Sequence, residues 1–204
     1  MIELLIAGIT LGLYAGFSPG PLLVLLISQT LKHGHKEGIK VALAPLITDL
    51  PIIIASIIFL SFVAGYSLIL GIISIFGGLY LGYLAYESFK TKGLTKEIEA
   101  EEPKSLKKGV TVNFLNPSPY IFWITVGGPL IITAYMGNAL SPLLFIVSFY
   151  ALLVGSKIGI AFAAGKSRDF LTGRPYIYIM RILGVVLIIF ALYFFVQGIQ
   201  LLVK

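Results

Sequence analysis

Six apolar stretches, each long enough to cross a lipid bilayer, fill this chain almost from end to end. They run from Ile2 to Leu31, Gly38 to Gly65, Ser67 to Phe89, Gly109 to Tyr135, Ser141 to Gly165, and Pro175 to Val203. A helical span needs about 20 mainly apolar residues at 1.5 Å of rise each. Hydrocarbon has no water to satisfy backbone polar groups, so spans of this length must close their hydrogen bonds internally, as helices. The composition agrees: 58% of residues are hydrophobic and only 12% charged, too little charge to cover a soluble domain. The expected fold class is therefore an all-α integral membrane protein, one transmembrane domain over residues 1–204. Met1-Ile2-Glu3 lacks the basic start of a signal peptide, so the first apolar run reads as a permanent span.

Charge sets the expected orientation. Lys32, Lys36 and Lys40 follow the first span, and Lys90, Lys92, Lys96, Lys104, Lys107 and Lys108 cluster between the third and fourth. Lys166, Arg168 and Arg174 follow the fifth, while the remaining two loops carry no basic residue. The positive-inside rule makes the three basic loops cytoplasmic and places both termini outside, in a multi-pass protein of the cell membrane. The net charge of +6 then belongs to topology and to anionic headgroups, with no support for nucleic-acid binding. Lys96-Glu97-Ile98-Glu99-Ala100-Glu101-Glu102-Pro103-Lys104 reads as a solvated linker, 91–108, between three-helix halves 1–90 and 109–204. Three spans per half give the halves opposite orientations, as an inverted repeat requires.

Ser18-Pro19-Gly20-Pro21 and Asn116-Pro117-Ser118-Pro119 interrupt the first and fourth spans, the corresponding spans of the two halves. Proline has no N–H and its ring clashes with the preceding turn. A helix broken at membrane depth must be buried in protein or line a cavity. Paired breaks of this kind point to the binding site of an inverted-repeat transporter. Each break also starts a half-helix, whose free N–H groups and positive dipole end suit a carboxylate.

Asp49 and Lys157 are the two ionisable residues well inside apolar spans, and spans two and five are counterparts in the two halves. Counted at 1.5 Å per residue, Asp49, Lys157, Pro19 and Pro117 lie roughly 12–18 Å from the cytoplasmic face. Charges at that depth belong inside the bundle, on a transport pathway or paired with each other. An Asp49–Lys157 ion pair is one expectation, with titration then belonging to the pair. Pro45 and Pro51 bracket Asp49 and are expected to loosen its helix, while Thr48 is placed to re-satisfy a freed carbonyl or to join the site. Gly8, Gly12 and Gly16, Gly78 with Gly82, and Gly155 with Gly159 are spaced for close helix packing, a pattern that also suits a homo-oligomer contact.

Several segments carry a resemblance. Gly16-Phe17-Ser18-Pro19-Gly20-Pro21 followed by Gly34-His35-Lys36-Glu37-Gly38 resembles the amino-terminal signature of the lysine exporter (LysE/RhtB) family. Gly77-Gly78-Leu79-Tyr80-Leu81-Gly82-Tyr83 is similar to that family's third-span segment, and Asn113-Phe114-Leu115-Asn116-Pro117 to its Asn-Pro motif. The likeness extends over essentially the whole chain. It implies export of amino acids or related small metabolites, driven by protons, with Asp49 at the family's acidic position. The role of Lys157 rests on its own placement alone. The expected binding residues are Ser18, Pro19, Gly20, Pro21, Thr48, Asp49, Asn116, Pro117, Ser118, Pro119 and Lys157, with Asp49 also taking the proton.

The chain has no Cys, which removes disulfide and thiolate chemistry. His33 and His35, without acids or thiols beside them, make a poor metal site, and nothing calls for a cofactor. No cluster of His, Asp or Ser suggests an enzyme. A divalent-metal exporter or a channel-like protein are the competing readings, and a metal pathway would need more than one buried acid.

Overall fold

A computed structural model describes residues 2–63, 66–90, 104–138, 140–166 and 174–203. Most of the expected linker, 91–103, lies outside these. Among the described residues every element is helical. They are α1 (Ile2–Phe17), α2 (Pro21–His33), α3 (His35–Ala42), α4 (Ala44–Val63), α5 (Ser67–Lys90), α6 (Ser105–Leu115) and α7 (Pro117–Phe122). A π-helical segment (Trp123–Gly127) leads into α8 (Gly128–Gly137), followed by α9 (Ser141–Lys166) and α10 (Arg174–Leu202). Among the described residues five segments are long and apolar enough to cross a membrane, and α1 with α2, bent by 60° at the break over residues 18–20, brings the number to six when the pair is counted as one broken span.

Each interruption has a local cause. Gly20 is extended (φ −146°, ψ 175°) and Pro21 opens α2 at a position where a missing N–H costs nothing. Gly34, at φ +89°, closes α2 by donating to the Thr30 carbonyl at 2.8 Å, a conformation that favours glycine. Pro45 cannot donate to the Val41 carbonyl, so the ladder restarts at Leu43–Ala44. α4 then runs on through Pro51. The expected loosening around Asp49 is thus confined to the start of α4, before the acid. In the fourth span, Asn116 is extended (φ −79°, ψ 124°) and its side-chain oxygen accepts from Ser118 N at 3.1 Å. The π segment was not anticipated. Pro129 supplies no N–H for Thr125, and Gly128 N reaches back five residues to the Trp123 carbonyl.

The bundle packs in pairs: α1 along α9, α5 along α10, and α4 along α6, α7 and α8. Glycines set the first two seams. A Cβ on Gly8 would sit 2.0 Å from Ser148 Oγ, on Gly12 2.3 Å from the Phe149 carbonyl, and on Gly16 1.7 Å from Ser156 Oγ. Gly78 lies against the Ala191 carbonyl, and Gly71 and Gly198 face each other. Gly82, Gly155 and Gly159 have open space where a Cβ would go, so the packing expected of them is absent. Outward faces are apolar at helical spacing, as with Ile182, Val185, Ile189 and Val196 on α10, all exposed. That is the surface a helix turns to lipid. Asp49 (4% exposed) and Lys157 (3%) face inward.

Candidate functional site

Both proline breaks, Asp49 and Lys157 line one central cavity of about 300 Å³. Of the expected binding residues, Ser18, Pro19, Gly20, Pro21, Asp49, Asn116, Ser118, Pro119 and Lys157 are on its wall, whereas Thr48 and Pro117 are not. Thr48 stands beside the acid instead. Its hydroxyl lies 3.3 Å from Asp49 Oδ1 and 3.1 Å from the Ala44 carbonyl, and accepts from Asn113 Nδ2 at 2.6 Å.

Asp49 is held from three helices. Asn113 on α6 donates to Oδ1 at 2.9 Å, and Tyr150 on α9 donates to Oδ2 at 3.2 Å. Thr48, on the acid's own helix, lies 3.3 Å from Oδ1 as well. Fixed donors replace the water a carboxylate loses on burial. Sequence reasoning did not assign Asn113 or Tyr150 to Asp49. They stand 64 and 101 residues away; Asn113 opens the segment that resembles the Asn-Pro motif, which gave it no role toward the acid, and one Tyr within an apolar span carries no distinguishing pattern.

Lys157 departs from expectation. Its Nζ donates to the Ala15 and Gly16 carbonyls, 3.1 Å each, and does not form an ion pair with Asp49. The cause is the first break. Ala15 would normally be bonded by the N–H of residue 19, which is proline, and Gly16 by residue 20, which lies beyond the helix end. The ammonium supplies those missing donors and sits at the negative end of the α1 dipole. Two carbonyls thus take up the ammonium's donors, and the side chain also lines the cavity.

The two half-helix starts differ. No side chain caps α2, so the N–H groups of Leu22 and Leu23, both cavity residues, meet no cap. The second start is closed upon itself: Pro117 and Pro119 have no N–H, and Ser118 N is taken by Asn116. The cavity wall therefore carries the start of α2 and Lys157 as its positive groups and Asp49 as its buried acid. Phe122, Trp123 and Phe149 line the apolar side, with the Phe122 and Phe149 rings stacked at 5.3 Å.

One buried acid, one buried lysine and two broken helices thus surround one cavity within the helical bundle. The family model for the LysE type translocator matches residues 13–198. The chain belongs to that family. It is a multi-pass membrane protein of a transporter family, and a small-molecule substrate and the bilayer are its partners. No curated protein and no solved structure gives a match.

Proposed function

We propose that this LysE type translocator exports an amino acid, or a closely related zwitterionic metabolite, from the cytoplasm by alternating access coupled to proton entry. The observation that carries the reading is the presence of groups of both signs on the wall of one central cavity. The uncapped start of α2 and the positive charge of Lys157 suit a carboxylate, and Asp49 suits an ammonium group or a proton. Asp49 then holds substrate and proton in alternation. Protonation removes the charge that binds the ammonium, so proton arrival favours substrate departure.

An inverted repeat of residues 1–90 and 109–204 about the linker supplies the moving parts. Counted as spans, the packing pairs are one with five, two with four, and three with six. Exchanging the halves swaps the first two pairs and returns the third to itself, which supports the symmetry. Both termini are assigned to the outside of the cell membrane on the charge bias of the loops.

Purified protein in liposomes tests the mechanism. Asp49→Asn should lose transport driven by a pH gradient while remaining folded, with a substrate screen by counterflow fixing the solute. Undiminished pH-driven transport in that variant would rule out the role given to Asp49.

A further inference from the structure

The cavity wall contains a second acid. Tyr80, Tyr83 and Glu87 on α5 all line it, at the i, i+3, i+7 spacing that puts residues on one helical face. Tyr14 of α1 faces the same space and is buried. The Tyr83 hydroxyl donates to Glu87 Oε1 at 2.6 Å and fixes the carboxylate's direction. Tyr80 donates to the Ser118 carbonyl at 3.4 Å, which ties this face of α5 to the second break.

Position separates this group from Asp49. Glu87 and Tyr83 are exposed, whereas Asp49 is buried. Glu87 is within one turn of Lys90, at the end of α5 that leads into the basic linker. By the charge bias of the loops, that end is cytoplasmic. A carboxylate beside several aromatic faces is the chemistry that receives an organic cation, through charge and the negative ring faces together. A divalent metal is served less well, because one carboxylate among neutral hydroxyls offers a single negative charge.

We propose that Glu87, with Tyr14, Tyr80 and Tyr83, forms a vestibule that receives the ammonium group of the transported solute at the cytoplasmic mouth, before that group passes to Asp49. The proposal rests on the export reading above and adds to it a first stop on the loading side. One cation visits the two carboxylates in turn. Ammonium-bearing molecules enter cation first, and carboxylates without an ammonium are turned away at the mouth.

Binding of methylammonium to the purified protein, followed by saturation-transfer NMR of its methyl signal, tests this. Affinity should fall roughly three- to tenfold in Glu87→Gln and by a smaller factor in Tyr83→Phe, in keeping with a partly exposed charge and aromatic site. Asp49→Asn should keep the Glu87-dependent binding. Emission from Trp123, the only tryptophan and a buried one, checks that each variant is folded. Equal methylammonium affinity in the wild type and in folded Glu87→Gln overturns the vestibule and leaves the role of Asp49 untouched. Conversely, retained pH-driven transport in Asp49→Asn, with the Glu87 effect intact, defeats the proton coupling and leaves the vestibule standing.

Discussion

Removing the Lys157 ammonium would strand two carbonyls at the end of α1, inside the protein and at membrane depth. Each unsatisfied buried group costs about 1–3 kcal/mol. Lys157→Met should therefore lower the thermal midpoint of the purified protein, and Lys157→Arg, which keeps donors at the site, should restore much of it. An unchanged midpoint in Lys157→Met would mean that those carbonyls find other partners. Asn116 acts similarly on the second break, where its side chain caps α7. Asn116→Ala should cost about 1 kcal/mol and Asn116→Asp much less, because aspartate caps equally well. These pairs explain a limit of reading residues alone. Lys157 and Asp49 are conspicuous as charges in apolar spans, and opposite signs at similar depth invite a pairing. The true partners of Lys157 are backbone carbonyls, which no residue type announces. They become visible only by asking which carbonyls Pro19 leaves without a donor.

At the level of helices, the α1–α9 seam depends on the absence of side chains. A Cβ on Gly12 would meet the Phe149 backbone, which cannot swing aside as a side-chain tip can. Gly12→Ala should force the helices apart and destabilise by about 1–3 kcal/mol, an overpacking cost. Gly82→Ala provides the contrast. Nothing lies within 4 Å of its Cβ position, and alanine is the better helix former by about 1 kcal/mol. Comparing the two midpoints in one detergent checks both expectations, and equal effects would refute the seam. Four-residue glycine spacing marks Gly12 and Gly82 alike, so the sequence could not say which row meets a neighbour. The helix breaks were more legible, because proline acts through its own backbone. The π segment had a signal too, in Gly127-Gly128-Pro129. A proline there frees a carbonyl one turn back, Gly127 leaves room for the Trp123 ring, which a Cβ would strike at 2.3 Å, and Gly128 leaves room for the Trp123 carbonyl, at 2.5 Å from its own Cβ position.

For the whole molecule, topology is open to a direct measurement because the chain has no Cys. Any introduced thiol is unique. Lys36→Cys should react with an impermeant thiol reagent only from the cytoplasmic side, and Met136→Cys, at a site 84% exposed, only from outside. Labelling of both from one side would refute the assigned span count and orientation. The number of spans and the charge bias were readable from composition, because bilayer thickness dictates segment length. Glu87 was not, since an acid one turn from Lys90 looks like an ordinary interfacial residue. The two proline breaks, alike in sequence, end as unlike surfaces: one offers open N–H groups, and the other is sealed by its own asparagine. Under the proposed function, a solute in the cavity should therefore lie with a fixed head and tail instead of in two equivalent ways. With the aromatic wall of Phe122, Trp123 and Phe149 as a third point of reference, left- and right-handed forms of one solute cannot make the same set of attachments. A transporter built this way should tell mirror images apart.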